Sequence, residues 1–363
     1  RFWNAQTGGT VAAAMQHPAG TIPCVTFHPS GQLLAAAIYE SAAWIRQLDT
    51  GEAIRLPHES WVRTTKFDRS GNRLVTASHD GTARIWKVAS GEPLGPALRH
   101  DDEVWYAEFS PDGKSVVTAS RDATARIWEA ATGKELARLQ HLSMVATAQF
   151  DRTGRYLATA SYDLRARLWP LDRGGLPVDA ARPVQLPHHA MVVWLEFSPD
   201  GRWLATASFD HTARIWDVQT GRPQPFSLRH AAPVVWVAFS PDGAWVVTAS
   251  RDKTARVWSV ATGQPITEPL RHAASLCRAL FSPNGQTVAT ASNDGTVKLW
   301  ALPQIDPGDS EWLSDLAELV SNRSTEANGY SVPLDNGSLT SRRTRLEPWA
   351  SQSSLVKWFL REM

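Results

Sequence analysis

The sequence predicts an all-β protein assembled from copies of one small antiparallel sheet, and three observations carry the prediction. A tryptophan recurs at Trp86, Trp128, Trp169, Trp216, Trp258 and Trp300, with spacings of 42, 41, 47, 42 and 42 residues. A period in this range marks a repeat architecture. Between these tryptophans, short runs of β-branched, aromatic and small residues alternate with tight-turn residues. A phenylalanine also stands before the first turn of every copy: Phe27, Phe67, Phe109, Phe150, Phe197, Phe239 and Phe281.

Residues 100–134 show the unit at its clearest. Residues 104–109 read as a strand, and Ser110-Pro111-Asp112-Gly113 as a turn in which Pro presets φ, Asp bonds its own backbone and Gly accepts φ > 0. Residues 115–120 are a second strand and Arg121-Asp122-Ala123 a second tight turn. In the third strand, 124–128, Thr124, Arg126 and Trp128 share one face. Thr132-Gly133 turns the chain again, 136–139 make a fourth, weaker strand, and His141 opens the next copy.

The first full repeat is degenerate, with Arg46 at the Trp position and Glu40 at the turn Asp position, yet it keeps the apolar run 33–38 and counts as a repeat. Seven repeats result. Before it, Arg1 to Gly8 match the end of a third strand and its turn, so residues 1–9 read as the remnant of a preceding repeat and the chain as a fragment of a longer protein. An eighth repeat or a second array upstream would fit that reading. After Trp300 a breaker-rich linker begins at Pro303; Ser310 can cap a helix carrying Trp312, Leu313, Leu316, Leu319 and Val320 at helical spacing. Residues 321–341 are polar with turn signals at Asn328-Gly329 and Asn336-Gly337, and 355–360 suggest a last helical segment. The expected division is therefore 1–9 remnant, 10–302 repeats, and 303–363 linker with a partly helical extension.

The spacing of His, Asp and Trp resembles the WD-repeat family. Its opening His is present in every repeat (His17, His58, His100, His141, His188, His230, His272), although Arg, Pro or Gln replaces the preceding Gly and only Trp216-Asp217 keeps the family's final pair. The resemblance implies a seven-bladed β-propeller of four-stranded antiparallel blades. A lone sheet with two apolar faces leaves both wet, and stacking blades about an axis buries them. It also implies closure by the N-terminal strand, residues 10–16, beside the strands ending at Trp300. The tail is similar to extensions of large bacterial multidomain proteins, some of which begin with a Ser/Thr kinase domain.

Composition narrows the function. With 363 residues, a formal net charge of +1 and two cysteines, nothing draws the chain to nucleic acid or an anionic membrane. No run approaches the length of a transmembrane helix. The expectation is a cytoplasmic protein in which Cys24 and Cys277, neighbours in a closed ring, stay reduced. Residues of a nucleophilic triad recur as His58/Ser78/Asp80, His100/Ser120/Asp122, His188/Ser208/Asp210, His230/Ser250/Asp252 and His272/Ser292/Asp294, with His141, Ser161 and Asp163 in the remaining copy. Repetition argues against catalysis, because an active site needs one centre. The resemblance supplies a structural network of these His, Ser or Thr and Asp residues with Trp86, Trp128, Trp169, Trp216, Trp258 and Trp300. One His per blade offers no metal-ligand cluster, so neither metal nor cofactor is expected. Gly113-Lys114-Ser115 lacks the upstream Gly of a phosphate loop. The cations two before each Trp (Arg84, Arg126, Arg167, Arg214, Arg256, Lys298) recur in strand interiors and are expected to pair within and between blades.

What varies between copies points to function. By resemblance, partners dock on the propeller's narrow top face, where the residue before each turn Asp and the residues three and five after each His are exposed. Carried over, these include Tyr39, Trp61, Arg63, His79, Glu103, Trp105, Arg121, Met144, Tyr162, Met191, Phe209, Arg251 and Asn293. Trp, Tyr, Phe, Met and Arg are the residues of interface hot spots. The expected function is a non-enzymatic scaffold that binds a protein or peptide segment, acidic or phosphorylated to suit Arg121 or Arg251, and serves other domains of the parent chain. The alternative is a regulatory or catalytic propeller of an enzyme such as a multidomain kinase.

Overall fold

The computed structural model describes residues 22–302 except Glu40 and Ala181, plus the backbone of Phe2–Trp3, Thr10–Ala12, Arg323–Thr325 and Ser331–Pro333. Between Cys24 and Ala301 the described residues form seven antiparallel sheets in chain order, six of four strands and a last one of three. These are the blades of a β-propeller: 24–57, 62–99, 104–140, 145–187, 192–229, 234–271 and 276–301, here blades 1 to 7, with strands a to d of each numbered from the channel outwards. Blade 3 is typical: Val104–Phe109, Ser115–Ser120, Thr124–Glu129 and Glu135–Gln140 lie side by side as a meander.

The fourth strand is weak for a chemical reason. In blades 2, 5 and 6 it is two residues long (Leu98–Arg99, Leu228–Arg229, Leu270–Arg271), and the chain before it meets strand c in a single bridge at Pro93, Pro223 or Pro265, followed by one bond from the N–H of Leu94, Gln224 or Ile266. Proline has no N–H to extend a ladder. The 47-residue spacing in blade 4 is an insertion between strand c, Arg165–Pro170, and strand d, Val184–Pro187. At the turn after strand a, Gly113 has φ of 69°, and a Cβ there would lie 2.5 Å from an Arg73 guanidinium nitrogen. After the turn Asp, four non-glycine residues, Ala123, Leu164, His211 and Lys253, hold φ of 64° to 72°.

Burial lies between blades. Val75, Ala77, Ala83, Ile85 and Leu98 of blade 2 pack against Ala107, Phe109, Val116 and Trp128 of blade 3, and equivalent clusters join blades 1–2, 3–4, 4–5 and 5–6. Each of the larger side chains here contributes about 1.5–3 kcal/mol on burial, and each alanine methyl about 0.8 kcal/mol. The ring's ends meet where Arg278 Nη2 of blade 7 donates to the carbonyl of Pro23, 3.1 Å away, before blade 1. In blade 7 Leu299 is 39% exposed, whereas its counterparts Ile85, Ile127 and Ile215 are at most 3% exposed.

The strand expected to close the ring over residues 10–16 forms at Thr10–Ala12 and pairs with Phe2–Trp3; residues 13–16 lie outside the described residues. Its register, Trp3 opposite Thr10 and Phe2 opposite Ala12 with an irregularity between, matches strands c and d of blade 3, where Trp128 lies opposite Glu135 and Ile127 opposite Ala137. The chain divides into two compact units, residues 1–300 and 301–363. In the second unit Arg323–Thr325 pairs antiparallel with Ser331–Pro333, on either side of Asn328-Gly329. The expected helices near residues 310–320 and 355–360 lie outside the described residues.

Candidate functional site: the top face and the mouth of the channel

The repeated His, Asp and Trp make one hydrogen-bonded network in each of five blades. In blades 2, 3, 5, 6 and 7 the His Nδ1 lies 2.8, 2.8, 3.1, 2.9 and 3.3 Å from the turn Asp (Asp80, Asp122, Asp210, Asp252, Asp294). The Asp needs a donor, so Nδ1 carries the proton and Nε2 accepts. The hydroxyl at Nε2 corrects the sequence reading: it belongs to a threonine of strand b (Thr76, Thr118, Thr206, Thr248, Thr290), at 2.6–2.8 Å. The same hydroxyl accepts the indole N–H of Trp86, Trp128, Trp216, Trp258 or Trp300 at 2.8–2.9 Å. The serines assigned to that role, Ser78, Ser120, Ser161, Ser208, Ser250 and Ser292, instead accept the turn Asp N–H at 3.0–3.2 Å. Side chains alternate along strand b, so the threonine two residues before the serine shares its face and lies nearer the Trp.

These bonds set the charges. Burial works to raise Asp80, Asp122, Asp210 and Asp252, but bonds from His and Thr outweigh it and hold all four carboxyls well below the usual range. Burial lowers His100 and His188 despite their Asp partners, which keeps them neutral. Blade 4 departs from the pattern. His141 Nδ1 is 3.9 Å from Asp163, Arg167 stands between them, and burial followed by the Arg167 charge pushes His141 down to about 3. Trp169 still donates to Thr159, at 3.0 Å.

The recurrent cations tie blades together. Arg126 Nη2 pairs with Asp122 at 2.8 Å, and its Nη1 donates to the Arg99 carbonyl of the preceding blade. Arg214 reaches the Pro187 carbonyl and Lys298 the Arg271 carbonyl in the same way, and Arg167 pairs with Asp163. Arg256 stands 5.8 Å from the Trp258 ring, and the Nε atoms of Arg84 and Arg256 are buried without a partner among the described residues.

The loop residues singled out on the top face come together blade by blade. In blades 2 to 7 the N–H of the residue before the turn Asp donates to the carbonyl of the residue three after the His, as from His79 to Trp61 and from Arg121 to Glu103, at 2.8–3.0 Å. Side chains continue the contact around the rim. Tyr39 stacks on Trp61 at 5.3 Å, Trp61 tilts against His79 at 5.7 Å, His79 lies parallel to Trp105 at 6.4 Å, and Trp105 meets Tyr162 edge-on at 6.2 Å. Arg63 lies 3.6 Å over the Trp105 ring, and Glu103 accepts from both the Trp105 indole and Arg121. Burial lowers His79, with Glu103 opposing it. Trp61 remains 51% exposed.

Other members of the set stand apart. Phe209 and Arg251 form a separate pair at 4.5 Å, and Asn293 bonds Ser275 and Cys277. Met144 and Met191 are half-buried and join the others through their carbonyls. Arg121 is engaged by Glu103 at 3.3 Å and Asp102 at 3.9 Å, so it is less free to meet an anion than its sequence position suggests.

A second tier escaped the sequence reading because of a bulge. In blades 2 to 7 the strand a–b register skips one residue, Arg63, Trp105, Ala146, Val193, Val235 or Cys277. A bulge re-aims the side chains beside it, and the next residue (Thr64, Tyr106, Thr147, Trp194, Trp236, Arg278) joins the channel. Tyr106 of blade 3 meets Trp194 of blade 5 at 5.9 Å, a contact between non-adjacent blades that spans the channel. Trp194 stacks on Trp236 at 3.9 Å, and Arg278 lies 4.8 Å over Trp236. One step deeper, Glu108 accepts from Tyr106 Oη and the Phe150 N–H at 2.7 Å each, and Glu196 accepts from the Phe239 N–H at 3.1 Å. Burial raises both carboxyls, Glu196 to about 7. The signal available in the sequence was an aromatic or charged residue six after the His, which strict strand alternation assigns to the other face.

Cys24 is buried and Cys277 exposed, both free thiols, and Cys277 bonds Asn293. Among the described residues no three His, Cys, Asp or Glu side chains gather as ligands for a metal ion, and no helix is long and apolar enough to cross a membrane.

Seven consecutive meander sheets, joined through a repeated His–Asp–Thr–Trp network, define a WD-repeat β-propeller. Residues 61–304 match the family described as the IFT122 first beta-propeller, and the chain belongs to that family. The match opens at blade 2, so the degenerate first blade stands outside it. No curated protein matches the chain.

Proposed function

We propose that the chain is a scaffold that holds a peptide or protein segment against its top face, for the benefit of other domains of a larger protein. Propellers of this type mediate protein–protein interaction in general; the narrower reading rests on the aromatic ladder Tyr39–Trp61–His79–Trp105–Tyr162. Four blades contribute to it, no folding duty repeats it in blades 5 to 7, and its exposed member Trp61 is a hot-spot residue type. Because the rings are already stacked, little side-chain entropy remains to be lost on binding. Catalysis has no comparable support, since the His, Ser and Asp sets are consumed by the network of each blade.

The test is selection from a displayed library of random dodecapeptides on the whole chain, followed by affinity measurement on Trp61→Ala and Trp105→Ala. Each substitution should weaken selected peptides at least tenfold, corresponding to about 1.4 kcal/mol or more, with the thermal midpoint unchanged. Undiminished affinity in both variants would remove the ladder from the binding surface.

A further inference from the structure

Two guanidinium groups at the mouth of the channel form no ion pair among the described residues. Arg63, in blade 2, lies over Trp105 and makes no ion pair or hydrogen bond among the described residues. Arg278, in blade 7, lies over Trp236 and spends one nitrogen on the Pro23 carbonyl. They flank blade 1 from either side, one at the bulge and one just after it. Burial lowers Arg63 while Tyr39, Tyr162 and Glu103 oppose it, and the Arg278 charge adds to the lowering, so the two cations feel each other. Beside them the indole N–H of Trp236, in a side chain 8% exposed, is buried with no partner among the described residues, as is that of Trp194. An indole N–H can only donate. Two cations without an ion pair and unpartnered donors are complementary to an oxyanion.

We infer that the channel mouth between Arg63 and Arg278 is a receptor for one carboxylate side chain of the bound segment, with the Trp236 N–H as a further donor. The inference rests on the top-face reading above and sharpens it: the partner carries an Asp or Glu beside the residues that meet the aromatic ladder. It also moves the anion-reading role from Arg121, held by Glu103, to Arg63 and Arg278. A phosphate is the competing oxyanion, and phosphoserine peptides test it.

The experiment uses the peptides selected on the whole chain. Each is resynthesised with its acidic residue replaced by the amide counterpart, and separately by phosphoserine. Binding is measured calorimetrically to the unaltered protein and to Arg63→Gln, Arg278→Gln and Trp236→Phe. Selected peptides should share an Asp or Glu whose conversion to the amide weakens binding tenfold or more, and Arg63→Gln and Trp236→Phe should erase that difference. Arg63→Gln removes no hydrogen bond and Trp236→Phe keeps the ring, so these two stand even if Arg278→Gln loosens the junction at Pro23. Selected peptides without a shared acid, or an acid-to-amide difference that survives both substitutions, would overturn the carboxylate receptor while leaving the ladder intact. Tighter binding of the phosphoserine version would overturn the choice of carboxylate. Failure to select any peptide would overturn both readings together.

Discussion

The shared hydroxyl of each blade can be removed with little change of shape by Thr→Val, and the ring contains its own control. Thr118 is fully buried; its Oγ1 lies 2.6 Å from His100 Nε2 and accepts from Trp128 Nε1 at 2.8 Å. Thr118→Val leaves a buried acceptor and a buried donor unmatched, at about 1–3 kcal/mol each, so about 2–6 kcal/mol in all. Thr159 of blade 4 is equally buried, but only Trp169 bonds it, because His141 is turned toward Arg167. Thr159→Val should therefore cost about half as much, about 1–3 kcal/mol. Equilibrium urea unfolding of the two variants, followed by tryptophan fluorescence and read at constant m-value, measures both. Equal losses in the two blades, or none in either, would refute the assignment of the threonine as the joint between His and Trp.

Three further outcomes are expected. Acidification pulls stability two ways: His141, held at about 3 against roughly 6.5 unfolded, binds more protons when unfolded and withdraws about 2–3 kcal/mol between pH 6.5 and 4.5, while Glu196, held at about 7 against roughly 4.5 unfolded, binds more protons when folded and returns a comparable amount over the same range. His100 and His188 act with His141, so Glu196→Gln should make the thermal midpoint fall more steeply between pH 7.5 and 4.5 than it does in the unaltered protein, and equal slopes would contradict this. Arg165 stands where other blades place a Thr that donates to the turn Asp at 2.6 Å, and Asp163 Oδ1 is buried without a partner among the described residues; Arg165→Thr should stabilise by about 0.5–1.5 kcal/mol, seen as a raised urea midpoint. In blade 7, Leu299→Asp should stay within about 1 kcal/mol of the unaltered protein, whereas Ile127→Asp, at the matching position but fully buried, should prevent folding. Circular dichroism melts of the pair decide it.

The repeat was legible because its signals are local. Trp, Asp and Gly recur at fixed offsets, turn chemistry acts over four residues, and alternation within a strand needs no partner to be read. The same locality explains how Thr118 was passed over for Ser120: both lie on one face of strand b, and only the distance to a Trp ten residues on separates them. Blade 4 was legible in retrospect from Arg165 in the place of Thr. That His141 would then turn from Asp163 toward Arg167 depends on three side chains meeting in space.

Among the top-face residues, sequence placed Trp61, His79, Trp105 and Tyr162 at corresponding loop positions, but not in a stack, because stacking joins residues from different blades. Folding chose which cations stay out of ion pairs among the described residues: Arg121 found Glu103 within its own blade, while Arg63 packs on the Trp105 ring and Arg278 on the Trp236 ring and the Pro23 carbonyl. The sequence by itself determined the repeat, the internal order of each sheet and the His, Asp and Trp that fasten most of them, since those interactions lie within about forty residues. The tertiary structure alone decided what lines the channel. One bulged residue in each inner strand turns its neighbour inward, and closing the ring brings blades 2, 3, 5, 6 and 7 around a space that no single repeat encodes.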